Sequence, residues 1–284
     1  MEFKRFAQCT LNEVISAWNK GFEGYAVSIK MEGEALLKRM VMEDLCPELS
    51  VIAFSNGEPI GVVMNGIRTI GEQKVAWNGG TGIATSHRGM GVSNQLMQEV
   101  LRIYMKEGVD FAILEAIENN ERAIKLYRKF GYETEENLEF LERTISSDEW
   151  TEINETYTFK NHLPEQVSRL PIYDHKVPWQ CQWQSVKTGE AILALDPDNN
   201  IVGYAMYKRI FNEKGEVERI SLHQLKAVDL DIVPFLLKEI LSGEKQPVKM
   251  TTVNFISTDP VTIHLKNLGF ERKVGQVHMQ RKMK

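Results

Sequence analysis

The stretch Arg88-Gly89-Met90-Gly91-Val92-Ser93 does most to limit the fold of this chain, because it joins a strand-like run to a helix-like run. The strand-like run ends at residues 83–85, and the helix-like run covers residues 92–106. A glycine-rich turn that opens a helix presents several backbone N–H groups in one direction, and the helix dipole adds partial positive charge there. The pattern therefore predicts a strand–turn–helix unit that binds phosphate or pyrophosphate. A plain strand-to-helix turn is the other interpretation, since neither the Walker pattern nor the dinucleotide-binding glycine pattern is complete.

Composition narrows the class of protein. The chain has 284 residues, 43% hydrophobic and 26% charged, which is typical of soluble globular proteins, and its length favours two domains. A net charge of −5 disfavours a broad nucleic-acid-binding face. Neither the three cysteines nor the six histidines have a metal-ligand spacing, so we expect no bound metal. The start is not signal-like and no apolar run approaches ~20 residues, so we expect a cytoplasmic protein without membrane contact.

The first half of the sequence predicts a sheet with helices on both sides. Hydrophobic periodicity and capping residues indicate helices at residues 11–18, 34–43, 92–106 and 121–130. Strand patterns, beginning with a hairpin, occur at residues 50–55, 60–67, 74–85, 111–117 and 138–144. The strand at residues 74–85 carries three glycines, which often mark a bulge or a close backbone approach. This order is typical of a three-layer α/β arrangement around a mixed sheet.

The second half repeats part of this order, which indicates an internal duplication. Residues 127–132 and 265–270 share the same exit from a helix through a glycine. Further elements are predicted at residues 191–195, 201–210, 217–227, 232–241, 251–257 and 260–268. We therefore predict one domain at residues 1–145 and a second at residues 146–284, with the polar stretch 146–150 at the boundary. Residues 222–230 hold no glycine, so the second copy lacks the glycine turn.

Two motifs, in this order along the chain, resemble the GNAT superfamily of N-acetyltransferases. Arg88-Gly-Met-Gly-Val-Ser93 is similar to the family's Arg/Gln-x-x-Gly-x-Gly/Ala loop, with Ser93 in place of glycine or alanine. Asn120-Glu-Arg-Ala-Ile-Lys-Leu-Tyr-Arg-Lys-Phe-Gly-Tyr132 is similar to the family's Asn-x-x-Ala-x-x-Leu-Tyr-x-x-x-Gly-Phe/Tyr segment. The resemblance covers roughly the first half of the chain. It implies an α/β fold of two tandem GNAT-like domains, each a mixed, mostly antiparallel sheet flanked by helices, with the second domain degenerate.

The resemblance also implies acetyl-CoA as the cosubstrate. The residues expected to bind it are Gly82, Ile83, Arg88, Gly89, Met90, Gly91, Val92, Ser93 and Asn120. Backbone N–H groups from Gly89 to Ser93 are expected to hold the pyrophosphate, and Gly82 and Ile83 to pair through their backbone with the pantetheine arm. Asn120 is expected to bond the same arm, which is compatible with capping its helix. Arg88 is expected to meet either a coenzyme phosphate or solvent.

Two side chains are candidates for proton transfer. The resemblance implies that Tyr127 is the general acid for the departing thiolate, since phenol and thiol acidities are not far apart; a core aromatic residue is the other interpretation. Glu115 interrupts an apolar strand. It is interpreted either as a structural ion pair or exposed residue, or as the general base for an ammonium acceptor. Its spacing to Tyr127 resembles that of the ribosomal-protein N-acetyltransferases. A water chain in place of a direct base is also compatible with the sequence.

The expected reaction is direct attack of a primary amine on acetyl-CoA in a ternary complex, without a covalent enzyme intermediate. The acceptor stays open between a small-molecule amine and a peptide amine. The loop between the first two helices holds Phe22, Glu23, Tyr25, Glu32 and Glu34, a set that suits a cationic amine and is also ordinary on a surface. A non-catalytic acyl-CoA-binding or protein-interaction module is the alternative. The oligomeric state stays open, a homo-oligomer included.

Overall fold

A computed structural model describes residues 1–25, 29–149 and 156–283. The described residues form the α-helices α1 (Leu11–Gly21), α2 (Gly33–Met42), α3 (Val92–Lys106), α4 (Glu121–Lys129), α5 (Pro164–Val167), α6 (Val233–Ile240) and α7 (Pro260–Asn267). The strands are β1 (Glu2–Arg5), β2 (Val51–Ser55), β3 (Glu58–Ile70), β4 (Gln73–Ile83), β5 (Phe111–Ile117), β6 (Glu133–Ile145), β7 (Thr158–His162), β8 (Glu190–Leu195), β9 (Ile201–Phe211), β10 (Val217–Ala227), β11 (Val248–Thr252), β12 (Phe255–Ile256) and β13 (Glu271–Lys282). Residue 150, the last of the predicted boundary stretch, lies outside the described residues.

Local sequence signals account for where several elements begin and end. Helix α1 starts at a capping box, in which the Thr10 hydroxyl accepts from the Glu13 N–H and the Glu13 carboxylate accepts from the Thr10 N–H. The β2–β3 hairpin turns through Asn56-Gly57, both with positive φ, as a two-residue hairpin turn requires. Gly131 and Gly269 follow α4 and α7 with φ of 78° and 85°. The recurring helix exit predicted from the sequence is confirmed at both places.

The first of two compact units comprises Met1–Glu135 and Val277–Lys284. Its strand order is β1-β2-β3-β4-β5-β13; β1 to β4 pair antiparallel, and β4 and β5 pair parallel. Helices α3 and α4 pack on one face, where Leu96, Tyr104 and Tyr127 join alternate residues of β5 in the core. Helix α1 packs on β3 and β4 from the other face. The site described below lies in this unit.

The second unit, Glu136–Gln276, has its own sheet in the order β6-β11-β10-β9-β8-β7, with β12 beside β6. Strands β10 and β11 are parallel and the other described pairs are antiparallel. Helices α6 and α7 cover one face through Leu236, Leu237 and Leu265, and a separate cluster around Tyr173 and Tyr204 covers the other. Both sheets are therefore mixed and mostly antiparallel, as predicted.

The compact units do not coincide with the predicted division at residues 145 and 146. Most of β6, predicted as the last strand of the first domain, lies in the second unit, and the end of β13 lies in the first. The cause is side-chain burial: Leu141 and Ile145 pack in the second core, and Val277 and Met279 pack in the first. Hydrophobic alternation predicts that a segment is a strand but not which sheet it joins.

Two further differences concern single strands. The strand predicted at residues 251–257 is divided into β11 and β12, because Asn254 between them has a φ of 49°. Strands β1, β7 and β13 were not predicted.

None of the described helices is long and apolar enough to cross a bilayer.

Candidate active site

Strands β4 and β5 separate after a short parallel contact. They pair only over Val75–Asn78 and Phe111–Leu114. Just beyond this contact β4 bulges at Gly79, a residue that the pairing with β3 skips. A Cβ on Gly79 would lie 2.7 Å from the ring of Trp77, so only glycine fits. The bulge predicted from the glycines is thus confirmed, and a gap opens between residues 79–83 of β4 and 115–117 of β5.

The far end of β4 directs a backbone donor into this gap. The N–H of Ala84 donates to the carbonyl of Ile60 in β3 at 2.9 Å. Because N–H groups alternate sides along a strand, the N–H of Ile83 is directed away from β3, toward the gap. Gly82 packs its Cα against the end of α1, where a Cβ would lie 2.9 Å from both Gly21 and Phe22. The close approach of α1 therefore requires the glycine at position 82.

The glycine turn before α3 presents unused backbone donors. Gly89 and Gly91 have φ of 85° and 83°, with open space where a Cβ would be. Across residues 1–25, 29–149 and 156–283, the N–H groups of Gly89, Gly91, Val92 and Ser93 form no hydrogen bond. The first turn of α3 also holds no acidic residue. Four amides without a hydrogen-bond partner among the described residues, at the positive end of a helix dipole, are an arrangement that suits an anion.

Arg88 is engaged by the protein backbone. Its Nε donates to the carbonyl of Ile83 at 3.0 Å, and its Nη2 donates to the carbonyls of Glu23 at 2.6 Å and Gly21 at 3.4 Å. The guanidinium group therefore ties the exit of β4 to the end of α1. From the sequence, Arg88 was expected to meet either a coenzyme phosphate or solvent. In the structure its side chain donates to three backbone carbonyls.

A cleft of about 570 Å³ leads from the glycine turn along α4 to the gap. Predicted residues that line it are Ile83, Arg88, Gly89, Gly91, Ser93, Asn120 and Tyr127. Three predicted coenzyme-binding residues do not line it: Gly82 packs on α1, the Met90 side chain is exposed to solvent and Val92 is buried in the core. Asn120 caps α4 through a 3.2 Å bond from the Ala123 N–H, and its amide donates to the Tyr25 hydroxyl.

Tyr127 lies at the inner end of the cleft. Only 6% of its surface is exposed, and its hydroxyl interacts with the Thr81 side chain of β4. Burial raises the pKa of Tyr127 to about 12, an effect that the Thr81 hydroxyl partly offsets. The phenol therefore keeps its proton throughout the neutral range. It stands where β4 and β5 part.

Glu115 lies on the opposite face of the sheet. Ala112, Leu114 and Ala116 of β5 point into the core with Tyr127, so Glu115 points the other way. Its side chain is 6% exposed and both oxygens accept hydrogen bonds, from Trp77 Nε1 at 2.7 Å and from His278 Nδ1 at 3.0 Å. The structure thus does not bring the two candidate proton-transfer residues together on one face; the gap lies between them.

Comparison with known families decides the class of this arrangement. The acetyltransferase (GNAT) family profile matches residues 13–132, the segment that contains the separated strands, the glycine turn and Tyr127. This segment of the chain matches the GNAT acetyltransferases. An acetyltransferase of Yersinia pestis (strain Pestoides F) is 27% identical to this chain over 150 residues, which are 53% of this chain and 100% of that protein.

Solved structures extend the likeness to both units. A GCN5-related N-acetyltransferase from Sphaerobacter thermophilus superposes with a TM-score of 0.67 at 14% identity, covering 100% of this chain and 96% of its own. A tandem GNAT protein from the clavulanic acid biosynthesis pathway superposes with a TM-score of 0.66 at 10% identity, covering 100% and 98%. At these identities the likeness concerns the fold alone. The predicted fold, two tandem GNAT-like domains, is confirmed.

The cleft contains residues that sequence reasoning did not single out. Thr81, Asn94, Arg122, Lys125 and Lys129 all line it, and the Lys129 ammonium donates to Asn94 Oδ1 at 2.9 Å. Arg122, Lys125 and Lys129 are three and four residues apart on α4, and this spacing was the available signal for a common side of the helix. His278, the partner of Glu115, is 163 residues distant in sequence and gave no signal.

Proposed function

We propose that the first unit transfers an acetyl group from acetyl-CoA to a primary amine by direct attack within a ternary complex. The carrying observation is the buried Tyr127 hydroxyl at the point where β4 and β5 part, at the inner end of a cleft whose outer end holds four free amides. An acyl-CoA thioester extended along this cleft would have its phosphates next to the four amides and its sulfur next to the Tyr127 hydroxyl.

The chain's residues fit coenzyme A. The amides of Gly89, Gly91, Val92 and Ser93 would hold the pyrophosphate, since charged acceptors suit free N–H groups at a helix start. The N–H of Ile83 would bond the pantetheine arm in the gap. Arg122, Lys125 and Lys129 line the cleft and would contribute positive charge toward the phosphates. Acetyl-CoA supplies an acetyl group activated as a thioester.

Tyr127 would protonate the departing sulfur. Because burial raises the pKa of Tyr127 to about 12, the phenol holds its proton in the neutral range and has it available when the sulfur departs. A sulfur that leaves as a thiolate is a better proton acceptor than the thioester, so the phenol stabilises the late part of the reaction.

Glu115, or a side chain that is hydrogen-bonded to it, would receive the proton that the amine loses. The acceptor arrives as an ammonium ion and becomes a nucleophile only after deprotonation. Position 115 carries the sole carboxylate at the gap within β4 and β5, because β4 offers only Trp77 and Asn78 there. The proton would reach Glu115 directly, through water, or through a hydrogen-bonded neighbour. Its location on the face opposite Tyr127 would separate the entry of the amine from the exit of the thiol.

The acceptor would be a cationic amine. Tyr25 lines the cleft, contacts the Phe22 ring edge to face at 5.5 Å, and accepts from Asn120. Glu23 lines a pocket together with Phe22 and Tyr25, and aromatic faces beside a carboxylate suit an ammonium group. A small-molecule amine and a peptide amine both meet this description.

Two measurements test the proposal together. Equilibrium titration with acetyl-CoA is expected to give one bound coenzyme per chain. Thiol release from acetyl-CoA is then followed with spermidine, glucosamine and peptides with free N termini, and at least one amine is expected to accelerate it. Tight coenzyme binding with no amine-dependent thiol release would instead support a non-catalytic acyl-CoA-binding or protein-interaction module.

A further inference from the structure

The hydrogen bonds around Glu115 limit its use as the first proton acceptor. Each carboxylate oxygen already accepts one bond, from Trp77 and from His278. Protonation of either oxygen would weaken that oxygen as an acceptor for a buried donor, which is costly when no water compensates. Only 6% of the Glu115 side chain is exposed, against 15% for His278. The imidazole is therefore more accessible to solvent than the carboxylate.

We infer that Nε2 of His278 accepts the proton of the attacking amine, directly or through one water, and that Glu115 is the positioning residue that holds the ring. This inference rests on the proposed acetyl transfer. A ring that donates its Nδ1–H to a carboxylate carries its lone pair on Nε2. Trp77 completes the arrangement, because its indole N–H fixes the second oxygen of Glu115 at 2.7 Å.

The strand arrangement supports this role. Residues 277–282 of β13 belong to the first unit, and β13 is the neighbour of β5 in strand order. His278 therefore lies beside Glu115 on a regular strand, with Val277 and Met279 anchoring the backbone in the core. A side chain held by a strand and by a buried carboxylate has little freedom to reorient, which is what a proton acceptor requires.

The proton balance is complete with the chain's own groups and solvent. The amine nitrogen bonds the acetyl carbon as the carbon–sulfur bond breaks, and Tyr127 gives the sulfur one proton. An ammonium that becomes an amide loses two protons, and His278 passes each of them to solvent in turn. Tyr127 regains its proton from solvent, so one proton is released for each acetyl group transferred.

The hydrogen bond between His278 and Glu115 can be tested in the absence of an acceptor amine. Nitrogen-15 NMR of the histidine rings is expected to show that the neutral His278 ring carries its proton on Nδ1 and leaves Nε2 bare, and Glu115→Gln is expected to change this tautomer. A ring with Nε2 protonated and Nδ1 bare in the wild type would overturn the inference.

Kinetics test the role itself, with the panel amine that the wild type acetylates fastest. His278→Asn keeps a donor for Glu115 but has no basic nitrogen, and we expect it to lose about 100-fold in kcat with unchanged acetyl-CoA affinity. His278→Ala is expected to lose as much and to regain rate with added imidazole, more so with more basic methylimidazoles. His175→Ala, an exposed histidine of the second unit, is the matched control and should match the wild type.

The outcomes separate the two proposals. Wild-type protein that acetylates no amine refutes the proposed function, and the role of His278 with it. An active wild type with an equally active His278→Asn refutes the role of His278 alone. If His278→Asn is active while His278→Ala is not rescued by imidazole, His278 supplies only a structural hydrogen bond. This outcome also contradicts the inference.

Discussion

The two units share one strand arrangement and differ in what fills it. In the first, β4 and β5 pair parallel over four residues and β4 then bulges at Gly79. In the second, β10 and β11 pair parallel over four residues, Arg219–Leu222 with Lys249–Thr252, and β10 then bulges at His223. In both units, therefore, the strand bulges directly after four residues of parallel pairing. Topology alone therefore does not make a ligand site.

The gaps that follow the two bulges differ because the side chains beside them differ in volume. Beyond the bulge β4 carries Gly80 and Gly82, whereas β10 carries Gln224 and Lys226 at the corresponding steps. Gln224 is buried, donates to the Cys181 carbonyl and accepts from the Tyr204 hydroxyl. The cavity beside Gln224 and Lys226 in the second unit is about 30 Å³, whereas the cleft that leads to the gap of the first unit is about 570 Å³. Polar side chains occupy the second gap.

The remaining requirements for coenzyme binding are also missing from the second unit. The turn before α6 carries Asp229 and Asp231, and the Asp229 carboxylate accepts from the Asp231 N–H. Carboxylates there repel the anion that the first unit's free amides attract. In the recurring helix exit, Leu265 takes the position of Tyr127, so no phenol is available. We expect one coenzyme site per chain.

The largest expected effect is on the glycine turn of the first unit. Gly91→Glu puts a carboxylate among the free amides and strains the positive φ of 83°, and we expect acetyl-CoA affinity to fall about 1,000-fold, about 4 kcal/mol. Gly215→Glu, at a turn of the second unit with a φ of 76° and equally open space, is the matched control. Titration calorimetry should show affinity about 1,000-fold weaker in the first variant and normal affinity in the second. Wild-type affinity in Gly91→Glu would contradict the proposed role of the glycine turn.

The buried imidazole at the second bulge should make stability depend on pH. Burial, and then the charge of Lys208, lower the pKa of His223 from 6.5 to about 4. The unfolded chain binds a proton near pH 6.5, so this stabilising contribution is full above pH 6.5 and is lost as pH falls toward 4, by about 3 kcal/mol in total.

His223→Asn keeps a donor for the Gln180 carbonyl but does not titrate. Denaturant unfolding at pH 7 and pH 4 should show a smaller loss of free energy in this variant than in the wild type, by about that amount. His175→Asn, at an exposed site, should leave the loss unchanged. Equal losses in His223→Asn and the wild type would mean that the second gap is hydrated.

The third effect is on turnover. Tyr127→Phe removes the proton donor of the first unit without changing its packing, and we expect kcat to fall about 100-fold, about 2.7 kcal/mol, with acetyl-CoA affinity unchanged. Tyr132→Phe is the matched control: its buried hydroxyl has no partner among the described residues, and its ring centroid lies 6.0 Å from that of Tyr127. Equal turnover in Tyr127→Phe and the wild type would exclude Tyr127 as the acid.

The smallest effect concerns the charge at the cleft. Arg122 lines the cleft and Arg128, on the same helix, does not. We expect Arg122→Gln to weaken acetyl-CoA binding about threefold at low salt, with the difference fading as salt is added, because exposed charges are screened. Arg128→Gln should leave affinity unchanged at every salt concentration. A salt-independent loss in Arg122→Gln would indicate a packing role instead.

Sequence patterns predicted the structural features that are determined by residues close together in the chain. The bounds of α3, β5 and β10 were predicted to the residue, because periodicity, glycines and capping residues are local signals. Features that depend on distant segments were missed. Arg88 binds carbonyls at the end of α1, and His278 reaches Glu115 from a strand that was not predicted at all. Such contacts become visible only when strand order is known.

The placement of β13 has a consequence for synthesis. Val277 and Met279 complete the core of the first unit, yet they leave the ribosome after the whole of the second unit has been translated. Until then β5 has no neighbour on one side, and its backbone is an open edge to which another nascent chain can add. Translation that stops short of residue 277 therefore yields a polypeptide that contains every residue that lines the cleft but lacks the last strand of the core of this unit.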